Sequence, residues 1–319
     1  KKSILIFGIT GQDGSLLAKE YLKKKFKVHG VITTKKFSQR NLIKLDIHNK
    51  VKLFNKIKVN KESIEYLIKK SRCSIIFFLS GISSVKKSEQ FKYETISSNN
   101  LMLIEIIEFL RKKNLKKIKV FNASSGEVFG DNTGPNKEDS QINPLSFYAL
   151  AKAISLEICR SYRAQFNLKL FNGILFNHES FLRPKTYVIK KIINGVNKIK
   201  QKKLKALTMG NTKVYRDWGW APEYVKIICR IMNKANADDY IIATGKVTKL
   251  DNIIAKIFNN FDLNKNKYLK KSKKLNRTLE PIKIEANINK LRKKIKSVPK
   301  IPIDKIINMM ISEEKKWIY

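Results

Sequence analysis

A tyrosine and a lysine four residues apart form a pair whose chemistry follows from its spacing. Tyr148 and Lys152 lie in the stretch "FYALAK", and a spacing of four places two side chains on one face of a helix. A lysine ammonium beside a phenol favours the phenolate and lowers the pKa of the tyrosine. The pair therefore predicts a general base, although an isolated tyrosine at such a position is more often a core aromatic.

Hydroxyl and carboxylate side chains precede this pair, at the end of a predicted strand over residues 117–124. Ser124, Ser125 and Glu127 lie in the stretch "ASSGEVFG". The carboxyl ends of strands in a doubly wound sheet form the crevice that binds ligands. A serine there can hydrogen-bond a reacting oxygen, and Glu127 is close enough to act on the same substrate. Together with Tyr148 and Lys152, these residues predict a catalytic site.

Three glycines near the start of the chain predict a phosphate-binding turn. Gly8, Gly11 and Gly14 in "GITGQDG" follow a predicted strand over residues 4–7 and open a predicted helix over residues 15–24. Bare backbone at such a turn can approach a pyrophosphate, whose charge the N-terminal amides of the helix meet. A glycine triplet can also mark a structural turn, but its place between the first strand and the first helix favours dinucleotide binding.

The order of apolar runs predicts the fold class. Further strands are expected at 28–33, 74–81 and 169–176, and further helices at 63–70, 99–112 and 147–165. This alternation predicts an α/β fold, a doubly wound parallel Rossmann sheet with a smaller interleaved C-terminal substrate lobe. We expect residues 1–178 and part of 212–245 to form the dinucleotide-binding domain, and residues 179–211 and 246–319 to form the lobe.

Composition limits the remaining function classes. The formal net charge is +41, but only ten of the 67 basic residues are arginine, and the lysines are spread along the whole chain. We therefore expect no nucleic acid as a partner and read the lysines as solvated surface, which still attracts anionic substrates. Without an apolar run of about 20 residues or a signal series, a cytoplasmic protein with no membrane partner is expected. The three cysteines lack metal-binding spacing and predict buried free thiols and no metal site.

The sequence after the second predicted strand bears on the choice of cofactor. An acidic residue there would bind the ribose hydroxyls of NAD, but no Asp or Glu occurs from Val28 to Leu45. Thr33, Lys35 and their neighbours would suit a 2′-phosphate instead. NADP is therefore favoured, with NAD as the alternative.

Longer stretches of the chain resemble the extended short-chain dehydrogenase/reductases and, among them, the GDP-mannose 4,6-dehydratases. The resemblance covers nearly the whole length. It rests on "GITGQDGSLLA" at 8–18, "ASSGEVFG" at 123–130, "YALAK" at 148–152, "NGILFNHES" at 172–180, "RDWGWAPEYV" at 216–225 and "IATGKV" at 242–247.

The resemblance implies roles for individual residues. The family's catalytic hydroxyl falls on Ser125, its base on Glu127, and its tyrosine and lysine on Tyr148 and Lys152. The expected cofactor-binding residues are Gly8, Thr10, Gly11, Gln12, Asp13, Gly14, Thr33, Lys35, Leu79 and Ser80, with Tyr148 and Lys152. The expected substrate-binding residues are Ser83, Asn177, Glu179, Lys191, Gly210, Asn211, Arg216, Arg277 and Glu280.

The implied activity converts GDP-mannose, or a close GDP-sugar, into the 4-keto-6-deoxy sugar by oxidation at C4, loss of water across C5 and C6, and return of hydride to C6. The chain departs from the family pattern at Thr33 and Thr34, which replace two arginines, at Gly126, and at Arg183, a single arginine where the family has two. A GDP-heptose dehydratase, a nucleotide-sugar C4 reductase or epimerase, and a nucleotide-binding regulatory protein remain alternatives. A homo-oligomer, dimer or tetramer, is expected.

Overall fold

The computed structural model describes residues 2–33, 38–55, 57 and 60–316, with side chains through Glu313 in the last helix. The predicted cofactor residue Lys35 lies outside the described residues, together with Thr34 and Lys36.

Runs of Ile, Leu and Phe form the central strands β1 and β4 of the main sheet. Every residue of "SILIF" and of "IIFF" is buried, as expected for parallel strands that helices cover on both faces. The strands are β1 (Ser3–Phe7), β2 (Lys27–Val31), β3 (Lys52–Phe54), β4 (Ile75–Phe78), β5 (Lys119–Ser125), β6 (Leu170–Leu175), β7 (Asn177–Glu179), β8 (Leu207–Met209), β9 (Tyr215–Trp220), β10 (Asp239–Ile242), β11 (Val247–Lys249) and β12 (Leu269–Lys271).

Some of the helices begin at polar N-caps, among them α3, α4 and α7. In the capping box of α3, Asn60 accepts a hydrogen bond from the Ser63 backbone, and the Ser63 side chain accepts one from the Asn60 backbone. The helices are α1 (Gln12–Lys23), α2 (Arg40–Lys44), α3 (Lys61–Ser71), α4 (Val85–Gln90), α5 (Lys92–Ile96), α6 (Met102–Lys112), α7 (Phe147–Phe166), α8 (Val188–Lys200), α9 (Ala221–Lys234), α10 (Leu250–Asn259), α11 (Lys265–Tyr268), α12 (Asn289–Ile295) and α13 (Ile303–Lys316).

The main sheet has its topological switch point between β1 and β4. Among the described residues, seven strands pair in the order β10-β6-β5-β4-β1-β2-β3, and all of these pairs are parallel. The chain runs outward from β1 to β3, returns to β4 on the other side of β1, and then runs outward again. This confirms the predicted doubly wound sheet and places the expected ligand crevice at the carboxyl ends of β1 and β4.

Alternating side chains of β1 reach two separate cores. Ile4 and Ile6 pack in a cluster with Tyr21 of α1 and Val225 of α9, whereas Leu5 and Phe7 pack in another with residues of α3 and α6. The period of two residues in a strand sends neighbours to opposite faces. Helices therefore cover both faces of the sheet. Cys73, Cys159 and Cys229 are free and buried, as predicted.

A smaller lobe is interleaved with the main sheet. It contains a sheet in the order β11-β9-β7, a pair β12-β8, and a third apolar cluster between α8, α10 and α13. The chain returns from this lobe to add β10 to the edge of the main sheet beside β6. The interleaved lobe is confirmed, while the division of the chain at residues 178, 211 and 245 stays a prediction.

Candidate active site

One large cavity lies between the carboxyl ends of the central strands and the smaller lobe. Its volume is about 960 Å³, which is within the range of ligand sites. The predicted site residues in its wall are Asp13, Leu79, Ser83, Ser125, Glu127, Tyr148, Lys152, Asn177, Glu179, Lys191, Gly210, Asn211, Arg216, Arg277 and Glu280. The remaining predicted cofactor-binding residues that the structure describes lie outside this wall. They are Gly8, Thr10, Gly11, Gln12, Gly14, Thr33 and Ser80.

The glycine turn between β1 and α1 has the form of a pyrophosphate cradle. Gly8 has a φ of +85°, and a Cβ there would come within 2.9 Å of the Leu79 carbonyl group at the end of β4. Gly11 is the N-cap of α1, where no side chain caps the N–H groups of the first turn. A helix N-terminus of this kind binds phosphate oxygens. The residues present therefore fit a dinucleotide.

We expect Gly14→Ala to destabilise the protein and to lower its dinucleotide content. A Cβ at Gly14 would lie 2.2 Å from the Gly8 carbonyl oxygen and 2.7 Å from the Ile9 Cα, so the turn must shift, at a cost of about 1–3 kcal/mol. Denaturant unfolding and mass spectrometry of released dinucleotide would measure both effects.

Gly11→Ala is the matched control for that substitution. The nearest atom to its added Cβ would be the Gly8 carbonyl oxygen at 3.3 Å, so we expect a smaller loss of stability. Equal losses for the two variants would contradict the close packing inferred at Gly14.

A buried hydrogen-bond network joins the glycine turn to the residues after β6. The His178 Nε2 lies 2.9 Å from the Asp13 Oδ2, and the Ser180 hydroxyl donates to the Gln12 Oε1 at 2.7 Å. Burial acts to raise the pKa of Asp13, but His178 and Arg183 outweigh it, and the pKa lies below its usual range. These contacts therefore hold the glycine turn from the side of the residues after β6.

The first turn of α7 holds Tyr148 in position. The Ser146 side chain accepts a hydrogen bond from the Ala149 backbone, and the Glu89 Oε1 of α4 accepts one from the Phe147 N–H at 2.9 Å. Two donors of the first turn are thereby satisfied. Tyr148 and Lys152 lie on successive turns and both line the cavity, so the predicted helical placement is confirmed.

The predicted net lowering of the Tyr148 pKa is wrong in this structure, because burial has the larger effect. Burial raises the pKa of Tyr148 to about 12, against a hydrogen bond from Ser125 and the charge of Arg183, which lower it. The Lys152 Nζ donates to the Ala123 carbonyl oxygen at 3.0 Å, and burial lowers the pKa of Lys152 to about 8. Desolvation thus has a larger effect on the pKa of Tyr148 than the Ser125 hydrogen bond and the Arg183 charge together.

Ser125 and Glu127 lie where β5 turns into a short 3-10 turn over Gly126–Phe129. The Ser125 hydroxyl accepts a hydrogen bond from the Glu127 N–H at 3.3 Å, which directs the start of the turn. A Cβ at Gly126 would lie 3.0 Å from the Phe176 ring. Phe176 therefore occupies the space that a side chain at position 126 would need, and it also lines the cavity.

Two arginines of the smaller lobe hold the Glu127 carboxylate. The Arg216 Nε of β9 lies 3.4 Å from Oε1, and the Arg277 Nη1 lies 3.4 Å from Oε2. Arg277 also approaches Glu280, with 3.5 Å between Nε and Oε1. The carboxylate thus lies between two guanidinium groups at the boundary between the two lobes.

Four residues that sequence reasoning gave no role also line the cavity: His178, Arg183, Tyr187 and Trp218. The Arg183 guanidinium lies 4.1 Å from the centre of the Tyr187 ring, and the Tyr187 hydroxyl is 2.5 Å from the Ser83 Oγ. The block "NGILFNHES" and the arginine in "LRP" were signals for the first two. The block "RDWGWAPEYV" contains Trp218, whereas no sequence signal indicated Tyr187, because its position depends on the pairing of the lobes.

Buried charges continue along the β7 end of the cavity. Burial raises the pKa of Glu179, against the charge of Arg183, whose Nε lies 3.6 Å from the Glu179 Oε2. Neither of these two atoms has a hydrogen-bond partner. Lys191 of α8 reaches the Thr208 carbonyl oxygen at 3.5 Å, and Asn211 accepts a hydrogen bond from the Lys213 N–H. Polar groups therefore line the cavity both near Tyr148 and along the smaller lobe.

The described residues contain no group of His, Cys, Asp and Glu that could hold a metal ion. Among their helices, none combines the length and the apolar character that a membrane span requires.

Solved structures with similar folds include two nucleotide-sugar enzymes. A dTDP-glucose 4,6-dehydratase from Bacillus anthracis, solved in complex with NAD, gives a TM-score of 0.87 at 17% identity and covers 99% of this chain and 97% of its own. A UDP-glucose 4-epimerase from Thermotoga maritima, solved with UDP-glucose, gives a TM-score of 0.87 at 18% identity. The match covers 99% of this chain and 100% of the epimerase chain. At such identities the likeness shows the fold alone.

Sequence comparison is more specific. GDP-mannose 4,6 dehydratase 1 of Arabidopsis thaliana is 29% identical over 98% of this chain and 90% of its own length. GDP-mannose 4,6-dehydratase of Vibrio cholerae serotype O1 is 35% identical over 77% of this chain and 68% of its own. The family model described as GDP-mannose 4,6 dehydratase matches residues 5–310. The chain therefore belongs to the GDP-mannose 4,6-dehydratase family.

Proposed function

We propose that the protein is a hydro-lyase that converts GDP-mannose, or a close GDP-sugar, into the GDP-4-keto-6-deoxy sugar. The observation that carries this proposal is the presence of Glu127 in the same cavity wall as Ser125, Tyr148 and Lys152. A tyrosine and a lysine suffice for oxidation at C4. A separate carboxylate is needed to remove a proton from C5, which distinguishes a dehydratase from an epimerase or a reductase on the same fold.

The first step is oxidation of the sugar at C4. Tyr148 accepts the proton of the C4 hydroxyl, while Ser125, already hydrogen-bonded to Tyr148, orients the oxygen. A bound nicotinamide dinucleotide supplies the hydride acceptor for C4 and the hydride donor for C6.

The second step is loss of water. The 4-ketone acidifies the proton at C5, and Glu127 removes that proton and delivers one to the departing C6 hydroxyl. The ketone at C4 is kept, and the proton that Tyr148 took from the C4 hydroxyl balances the one that C5 receives when hydride returns to C6, so the tyrosine ends in its starting form. With hydride returned to C6 and a proton to C5, the sugar loses one water and the dinucleotide ends as it began.

The dinucleotide is proposed to be NADP. The glycine turn fits a pyrophosphate, and the segment from Val28 to Leu45, which includes Thr33, has no acidic residue to select the ribose hydroxyls of NAD. We also propose which residues bind the substrate. Ser83, Asn177 and Glu179 would contact the sugar, and Arg216 and Arg277 would contact the diphosphate. The homo-oligomer stays a prediction, which light scattering would test.

Incubation with GDP-mannose without added reductant tests the reaction. We expect a product lighter than GDP-mannose by one water, detected by mass spectrometry, with no net change in nicotinamide absorbance because the hydride is returned. An unchanged sugar mass, or a product that accumulates only with added reduced dinucleotide, would contradict the proposal.

A further inference from the structure

The Glu127 carboxylate has both of its oxygens engaged by arginines of the smaller lobe. Oε1 faces Arg216 and Oε2 faces Arg277, each at 3.4 Å. We propose that the diphosphate of the substrate competes with Glu127 for these two guanidinium groups, so that binding of the nucleotide half releases the base for the sugar. This inference rests on the proposed function, since it takes a nucleoside diphosphate sugar as the ligand.

The Arg216 guanidinium is held in place by backbone carbonyl groups and has a donor left for an anion. Its Nη1 donates to the Tyr215 carbonyl oxygen at 2.9 Å and lies 3.5 Å from that of Ile282, which anchors the group, while its Nη2 is buried without a hydrogen-bond partner. The side chain is 6% exposed. A buried guanidinium with an unsatisfied donor beside the cavity has capacity for a further acceptor.

The contacts of Glu127 with the arginines are exchangeable. Both are longer than the usual 2.7–2.9 Å or so of charge-assisted hydrogen bonds, and Arg277 is 38% exposed. Phosphate oxygens use the same bidentate geometry toward arginine as carboxylates do, and a diphosphate carries more charge than one carboxylate. A diphosphate within reach therefore draws the guanidinium groups away from Glu127.

The exchange links binding to the elimination step. While both oxygens of Glu127 face guanidinium groups, neither is available to the proton at C5. Once the diphosphate occupies Arg216 and Arg277, the carboxylate is free to turn toward the sugar, and the same event brings the sugar to Tyr148. The base is thus directed to the substrate only when the whole nucleotide sugar is bound. In this exchange Arg216 and Arg277 are positioning residues for Glu127.

Calorimetric titration with GDP alone separates this inference from catalysis. In the protein as purified with its dinucleotide, we expect Glu127→Gln to bind GDP about three- to tenfold more tightly than the unsubstituted protein, because a competing charge-assisted partner of the arginines is removed. Glu157→Gln, which removes a carboxylate from the exposed side of α7, should bind GDP with an unchanged dissociation constant. Glu127→Ala removes the carboxylate in a second way and should tighten binding in the same direction.

A double-mutant cycle with Arg277 adds a measurement whose result would not change if Glu127 had only a structural role. In an Arg277→Ala background, Glu127→Gln should tighten GDP binding less, because one of the contested groups is gone. Equal or weaker GDP binding by Glu127→Gln and Glu127→Ala, or full tightening in the Arg277→Ala background, would overturn the competition. A protein that binds no GDP in any form would overturn the proposed function as well, so the two failures are distinguishable.

Discussion

Replacement of Glu127 by glutamine is expected to stop the loss of water while oxidation at C4 continues. Glutamine keeps the size of the side chain but cannot take up the C5 proton, and loss of a general base lowers a rate by about 10²- to 10⁴-fold. Tyr148, Lys152 and Ser125 are untouched, so the first step keeps its own acid and base. We expect reduced nicotinamide to accumulate after GDP-mannose is added, up to about one equivalent per active site.

Glu157→Gln is the matched control for this substitution. Glu157 lies on the exposed side of α7, where it pairs with Arg160, and its side chain is 55% exposed. We expect normal water loss from that variant. If Glu127→Gln eliminates water at the unsubstituted rate, or if it fails to reduce the dinucleotide, the assignment of Glu127 to the second step alone is wrong.

The clustering of the four candidate catalytic residues in one cavity could be predicted from the sequence because their positions depend on local structure. Tyr148 and Lys152 are placed by the period of one helix, and Ser125 and Glu127 by the end of one strand. The doubly wound sheet follows in the same way from the alternation of apolar strands and amphipathic helices. A carboxyl-end crevice then brings these local features together whatever the details of the loops.

Contacts between distant segments could not be predicted from spacing. The pairing of Glu127 with Arg277 joins residues 150 positions apart, and the stacking of His178 on Tyr224, at 4.6 Å between ring centres, depends on how β7 meets α9. The short edge strands β3 and β10 were missed for a related reason. Three or four residues carry too little pattern, and each forms because a neighbouring strand already offers backbone partners.

The wrong prediction about Tyr148 has a general physical cause. Helical spacing shows that a lysine is near the phenol, but not how much water is removed from both groups. Here burial affects each of them, raising the pKa of the tyrosine and lowering that of the lysine. Sequence gives the sign of the charge interaction and leaves the larger desolvation effect open.

Lys152→Met is expected to raise stability at neutral pH while lowering activity. Burial reduces the pKa of Lys152 from 10.5 to about 8, which corresponds to a penalty of about 3 kcal/mol for folding with the ammonium charged. Methionine fills similar space without the charge and loses only the hydrogen bond to the Ala123 carbonyl oxygen, worth about 1 kcal/mol. We therefore expect a net gain of about 2 kcal/mol at pH 7, and a fall in kcat of about 10²-fold or more because Tyr148 loses its neighbouring cation.

The pH dependence of the gain identifies its cause. The folded pKa lies below the unfolded one, so the penalty is complete below pH 8 and disappears as the pH rises from about 8 toward 10.5. The stability difference between Lys152→Met and the unsubstituted protein should shrink by about 2 kcal/mol between pH 7 and pH 9.5 in denaturant unfolding. Lys198→Met, on the exposed face of α8, should show little difference at either pH. If the gain in stability of Lys152→Met stays constant over this range, packing rather than the buried charge accounts for the destabilising effect of Lys152.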